Sequence, residues 1–149
     1  MADDVCGGEP HLSDALDAIA ALGVVEAEVS PISARQALEK SDLGALLVFD
    51  VNNIRYLTST KIGEWERDKL SRWALLTRNS PDPILWDFGS AAVHHKLYSP
   101  WLRPENCKAG LVGLRGTVDP AFGLMKHHAE EMASMLKAAG VLKMPVGVD

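Results

Sequence analysis

A chain of 149 residues has the size of one domain with a substantial core. Its 47% hydrophobic and 23% charged residues are ordinary for a soluble globular protein. The net charge of −5 excludes the overall basic field that draws nucleic acid or an anionic membrane.

No apolar run approaches the roughly 20 residues that span a bilayer. The opening "MADDVCGGEP" is acidic and lacks a signal-peptide core. Cys6 and Cys107 predict no structural disulfide, and a reducing, cytoplasmic setting is expected.

In chain order, "HLSDALDAIAALG" places Leu12, Leu16, Ile19, Ala20 and Leu22 at helical spacing, with Ser13 or Asp14 as cap and Gly23 as stop. "SPISARQALEK" predicts a second helix: Ser30 caps it, Pro31 fits its first position, and Ile32, Ala34, Ala37 and Leu38 face inward. Gly44 opens a strand, "ALLVF". The stretch "FDVNNIRYLTST" then reads as a structured strand-exit loop. Asn52 and Asn53 suit turn conformations, and Ile54 and Leu57 anchor the loop to the core. Arg55 carries a fork of donors, and Tyr56 an apolar ring with a polar tip.

"KIGEWERDKLSRW" mixes charges of both signs, as a solvated face does, and Trp65 is its exception. "RWALLT" and "PILWDF" predict strands joined by the turn-forming "RNSPDP". Gly89 and Ser90 lead into a short helix, "AAVHHKL", and "PWLRPENC" is expected to be a loop. "AGLVGL" predicts another strand, weakened by its glycines. The last helix has Asp119 as cap, Pro120 at its first position and an inward pattern from Phe122 through Leu124, Met125, Ala129, Met132 and Met135 to Leu136, stopped by Gly140. The closing "MPVGVD" predicts a strand, either an edge strand or the hand-over to a further domain. Alternating helices and strands give an α/β class with a mixed sheet.

Self-contained chemistry is not visible. The "LLVFD" strand suggests a receiver-type phosphoacceptor, but no strand ends before Asp3 to supply the acidic pair. His94–His95 and His127–His128 are adjacent pairs whose side chains diverge by about 100° on a helix, so neither pair chelates a metal by itself, and solvated or capping roles are expected. Trp86 reads as core, while Trp101 suits either core or surface. There is no HExxH, CxxC, P-loop or GxGxxG, and no nucleophile beside a base at a recognisable spacing.

The order of an apolar strand, "ALLV", followed by "NIRYLT" at Asn53 to Thr58 resembles the N-terminal domain of the creatinase, prolidase and aminopeptidase P family. Ser59 stands where that pattern has a glycine. The resemblance runs from about Ser30 to Asp149, and the "VGVD" end matches where such domains hand over to the next. It implies residues 1–28 as leader and N-terminal helix, and residues 29–149 as a creatinase/prolidase N-terminal-type domain. The implied fold is ribonuclease H-like, a mixed sheet with helices on both faces and no nuclease activity.

In the family, catalysis belongs to a following pita-bread domain, where two Asp, one His and two Glu hold two divalent metal ions in the metal-dependent members. That domain is absent from this chain, so the chain alone is expected to be inactive and to carry no cofactor or metal. The parent is implied to be a hydrolase of the Xaa-Pro peptidase or creatinase kind, or a related lyase near the dimethylsulfoniopropionate lyases. The N-terminal domain would support a homodimer and shape the partner subunit's pocket for a small-molecule or peptide substrate. The tract after NIRYLT implies Trp65, with Arg72 second, as residues lent to that pocket, and Asn53, Arg55 and Tyr56 as residues that shape the loop. A stand-alone interaction module of the same fold is the alternative.

Overall fold

The computed structural model of the protein describes residues 31–61, 72–110 and 119–149. In chain order these form helix α1 (Pro31–Lys40), strand β1 (Ala45–Val48), helix α2 (Val51–Thr58), strands β2 (Trp73–Thr77) and β3 (Ile84–Asp87) and helix α3 (Gly89–Tyr98). Strand β4 (Cys107–Ala109), helix α4 (Leu124–Ala138) and strand β5 (Val146–Val148) follow. The strands make one mixed sheet in the order β4-β3-β2-β1-β5. The β1–β2 and β2–β3 pairs are antiparallel, and the β3–β4 and β1–β5 pairs are parallel. The α/β class and mixed sheet expected from the sequence are present.

Every residue of β2, "WALLT", is buried, because both faces of the sheet are covered. Side chains alternate across it. On one face Ala74, Leu76 and Leu85 meet Ala34 and Leu38 of α1 and Ile54 and Leu57 of α2. On the other, Trp73, Leu75 and Trp86 meet Met132, Met135 and Leu136 of α4. Trp73 and Trp86 stack with ring centroids 5.8 Å apart, and Trp86 is core as its strand position predicts. Gly44 is needed for a close approach: a Cβ there would lie 2.6 Å from Cβ of Met144, which precedes β5. That contact lets the chain after α4 return beside β1.

Three sequence expectations are corrected. Residues 51–58 form a helix, not a loop. The Asp50 carboxylate accepts from the Asn52 amide at 2.8 Å, and the Ile54 amide donates to the Asp50 carbonyl at 2.9 Å. Asp50 is therefore an N-cap as well as a strand's end. Ile54, Leu57 and Thr58 then fall on one buried face at helical spacing.

The last helix begins at Leu124, not at Pro120. Asp119 does cap, but it caps a 3₁₀ turn over Pro120–Phe122, and Gly123 at φ 68° breaks the chain away before α4. Phe122, Met125 and Ala129 are exposed rather than inward. Finally, "PWLRPENC" is not all loop: its end tightens into a 3₁₀ turn, and Cys107 opens β4 by pairing with Leu85.

The predicted helix over Leu12 to Leu22, Cys6, and the predicted strand beyond Gly110 lie outside the described residues. Among the described residues no helix is long and apolar enough to cross a membrane.

Candidate functional site

Parallel pairing of β1 and β5 sets their C-terminal ends side by side, where α2 begins. Asp149 sits at that junction. One carboxylate oxygen accepts from the Phe49 amide at 2.7 Å, and both oxygens lie within 3.2 Å of the Asp50 amide. The second oxygen also accepts from Nδ2 of Asn53 at 2.7 Å. A carboxylate at the first turn of a helix is favoured by the free amides and by the helix dipole. Asn53 is thus tied to Asp149, which directly follows β5 and lies 96 positions away in sequence, rather than closing a turn on itself.

The other residues of the NIRYLT segment take separate directions. Arg55 is exposed on α2. Tyr56 packs against the core cluster beneath α1. Burial pushes its phenol above the ordinary value, and the nearby Ser33 hydroxyl offsets part of that shift. Ser59 closes the helix in the left-handed region, at φ 52° and ψ 30°, with its amide donating to the Arg55 carbonyl. Trp65 lies outside the described residues.

Arg72 is turned inward in this chain, 2% exposed, with Nε donating to Oδ2 of Asp87 at 2.8 Å. Its Nη2 donates to the Thr60 hydroxyl, which in turn bonds to the Thr58 hydroxyl at 2.6 Å. Nε2 of His95 lies 3.0 Å from the same Asp87 oxygen, and Nδ1 of His95 lies 3.3 Å from the Ser99 hydroxyl. The remaining Asp87 oxygen accepts from the Phe88 amide at 2.9 Å.

The Ser99, His95, Asp87 order superficially suggests a nucleophile, a base and an acid. However, all three side chains are buried and Asp87 is engaged by Arg72, so the Ser99 hydroxyl offers no approach to a substrate carbonyl. The arrangement is a buried polar brace linking β3, α3 and the residues on either side of segment 61–71. Nothing in the sequence marked Asp87 or His95 for it, because their meeting depends on how α3 folds back on β3. The expectation of a solvated His95 is corrected: the Asp87 carboxylate holds it inside. Trp101 is half exposed and donates its indole N–H to the Thr58 carbonyl at 2.9 Å. Cys107 is a free, buried thiol whose pKa burial pushes up, which disfavours the reactive thiolate.

On the opposite face of the sheet, α4 brings His127, His128 and Glu131 together. His128 is also buried, against the expectation of solvation, with its ring edge-on to Trp73 at a centroid distance of 5.2 Å. Its Nδ1 lies 3.5 Å from Oε2 of Glu131. That oxygen accepts from Nε1 of Trp86 at 2.9 Å, while Oε1 lies 3.1 Å from the Lys108 ammonium. Burial alone would raise the Glu131 pKa. The bonds from Trp86 and Lys108, with the Lys108 charge and His128, outweigh it and hold the carboxyl below its ordinary value. Treating each histidine pair in isolation missed Glu131, although it stands four residues after His127 and three after His128, on their side of the helix.

No protein-family model matches this chain, and no curated protein matches it.

Proposed function

We propose that this chain is a non-catalytic domain of the creatinase, prolidase and aminopeptidase P type, with a ribonuclease H-like architecture. Its work is to support a homodimer and to shape the substrate pocket of the partner subunit. The observation that carries the reading is the bond between Asn53 and Asp149. The two segments that carry the resemblance, "NIRYLT" and "VGVD", meet in one hydrogen-bonded junction, as parts of a single structural device would. An antiparallel β1–β2–β3 meander with β5 added parallel to β1, and helices on both faces, is compatible with that architecture.

On this reading hydrolysis, or a related elimination, belongs to a following domain with two divalent metal ions. Trp65 is lent to the pocket. Arg72, held by Asp87, fixes the far end of the tract that carries Trp65. The test is Trp65→Ala in the full-length protein, assayed on Xaa-Pro peptides, creatine and dimethylsulfoniopropionate. Activity should fall at least tenfold with little change in melting temperature. A large loss of stability with activity per folded molecule intact would make Trp65 a packing residue instead. Turnover of any of these substrates by the 149-residue chain alone would overturn the non-catalytic reading.

A second reading, a stand-alone interaction module of the same fold, draws on the exposed Val93, Leu97 and Tyr98 of α3. The source gene separates the two. A frame continuing past Asp149 with two Asp, one His and two Glu in that order favours the enzyme, and a stop codon there favours the module.

A further inference from the structure

We propose that His127, His128 and Glu131 form a site for one divalent transition-metal ion of the zinc class, with Lys108 as its built-in competitor. The proposal does not depend on the family reading, because these residues lie on α4, away from the NIRYLT junction.

One ligand atom from each of the three residues lies within 4.8 Å of the other two. A tetrahedral zinc ion with bonds of about 2.0–2.1 Å needs neighbouring ligand atoms roughly 3.3–3.5 Å apart. Nδ1 of His128 and Oε2 of Glu131, at 3.5 Å, already meet that spacing. His127 is exposed, so its ring is free to swing the remaining distance. Two imidazoles and one carboxylate suit zinc better than magnesium or calcium, which prefer all-oxygen shells. With three protein ligands the fourth position falls to water.

A second, independent observation points to a ligand. The His128 side chain is nine-tenths buried, yet its Nδ1 makes no well-formed hydrogen bond among the described residues. A buried polar nitrogen with only that long contact to Glu131 is poorly satisfied, and a cation between the two would bond both. The supporting contacts fit as well. Trp86 donates to the Glu131 oxygen that faces His128 and fixes the carboxylate's orientation, as outer partners of metal ligands do. That oxygen retains a second lone pair for a metal.

Lys108 opposes the ion. Its ammonium lies 3.1 Å from the other Glu131 oxygen and is partly exposed, so a dication must repel it or displace it into water. The site should therefore bind weakly in the native chain and more tightly once Lys108 is neutralised.

The experiment is calorimetric titration of the metal-stripped chain with Zn²⁺, repeated with Co²⁺ while following its visible absorption. One ion should bind per chain, and Co²⁺ should develop the bands of a low-symmetry site. His127→Ala removes an exposed ligand with little risk to folding, and it should weaken binding about tenfold or more. His94→Ala, which alters an exposed histidine on α3, should leave affinity unchanged, and Lys108→Met should tighten it several-fold. Absence of binding by both the native chain and the Lys108→Met variant would overturn the proposal. So would binding that His127→Ala does not weaken, or that His94→Ala weakens equally. Activity of a full-length enzyme enters none of these readouts, so the metal site and the family reading fail separately.

Discussion

Ser59 shows how a single residue reports on its position. The creatinase and prolidase pattern that this segment resembles puts glycine after NIRYLT, and here Ser59 adopts a left-handed conformation at φ 52° to close α2. That conformation is costly for a residue with a Cβ and free of strain for glycine. Ser59 is exposed, so its side chain contributes no burial to set against the strain. Ser59→Gly should stabilise the chain by about 0.5–1 kcal/mol, after allowance for the greater freedom glycine brings to the unfolded state. In a chain of this size the melting temperature should rise by about 2–3 °C. A fall on thermal denaturation would mean that the Ser59 hydroxyl has a stabilising partner that outweighs the backbone term.

At the scale of elements, the junction of α2 with β5 rests on one carboxylate accepting from two backbone amides and one side-chain amide. Asn53→Ala removes one charge-assisted hydrogen bond and should cost about 1–2 kcal/mol, because the site is only partly buried. In a double-mutant cycle with Asp149→Asn the two losses should be less than additive, since each removes part of the same bond. Strict additivity in urea denaturation would show that the bond contributes nothing in solution. This junction was only half legible in the sequence. The strands β1, β2 and β3 announced themselves as short apolar runs between turn formers. The Asn52–Asn53 pair hid α2, because both residues favour turns, and the capping role of Asp50 was masked by its place at a strand's end. Neither the reach of Asp149 to Asn53 nor the three-residue β4 leaves a local trace, since both depend on strand order. Glu131 was legible from its spacing to His127 and His128 alone, but only if the histidines were read together with it.

For the molecule as a whole, the Asp87 brace ties the sheet to α3 and to Thr60 and Arg72. Thr60 and Arg72 stand on either side of residues 61–71, and both belong to the network centred on Asp87. Desolvating Arg72 and Asp87 carries a large penalty, which their close bond and the added contacts of His95 and the Phe88 amide offset. Asp87→Ala takes the carboxylate from beside a buried guanidinium, a change that typically costs about 3–5 kcal/mol. Against a usual total of about 5–15 kcal/mol, that is a large share of the fold's stability. The urea midpoint should fall steeply while the slope stays near the native value, as it does when the native state is weakened without a change in the surface exposed on unfolding. The contrast with Trp65→Ala is the informative part. In a parent enzyme of the proposed kind, Asp87→Ala should lower stability and activity together, whereas Trp65→Ala should lower activity alone. If Asp87→Ala left the urea midpoint unchanged, Arg72 would have to be held mainly by partners other than Asp87, and the brace would not be what secures the buried guanidinium.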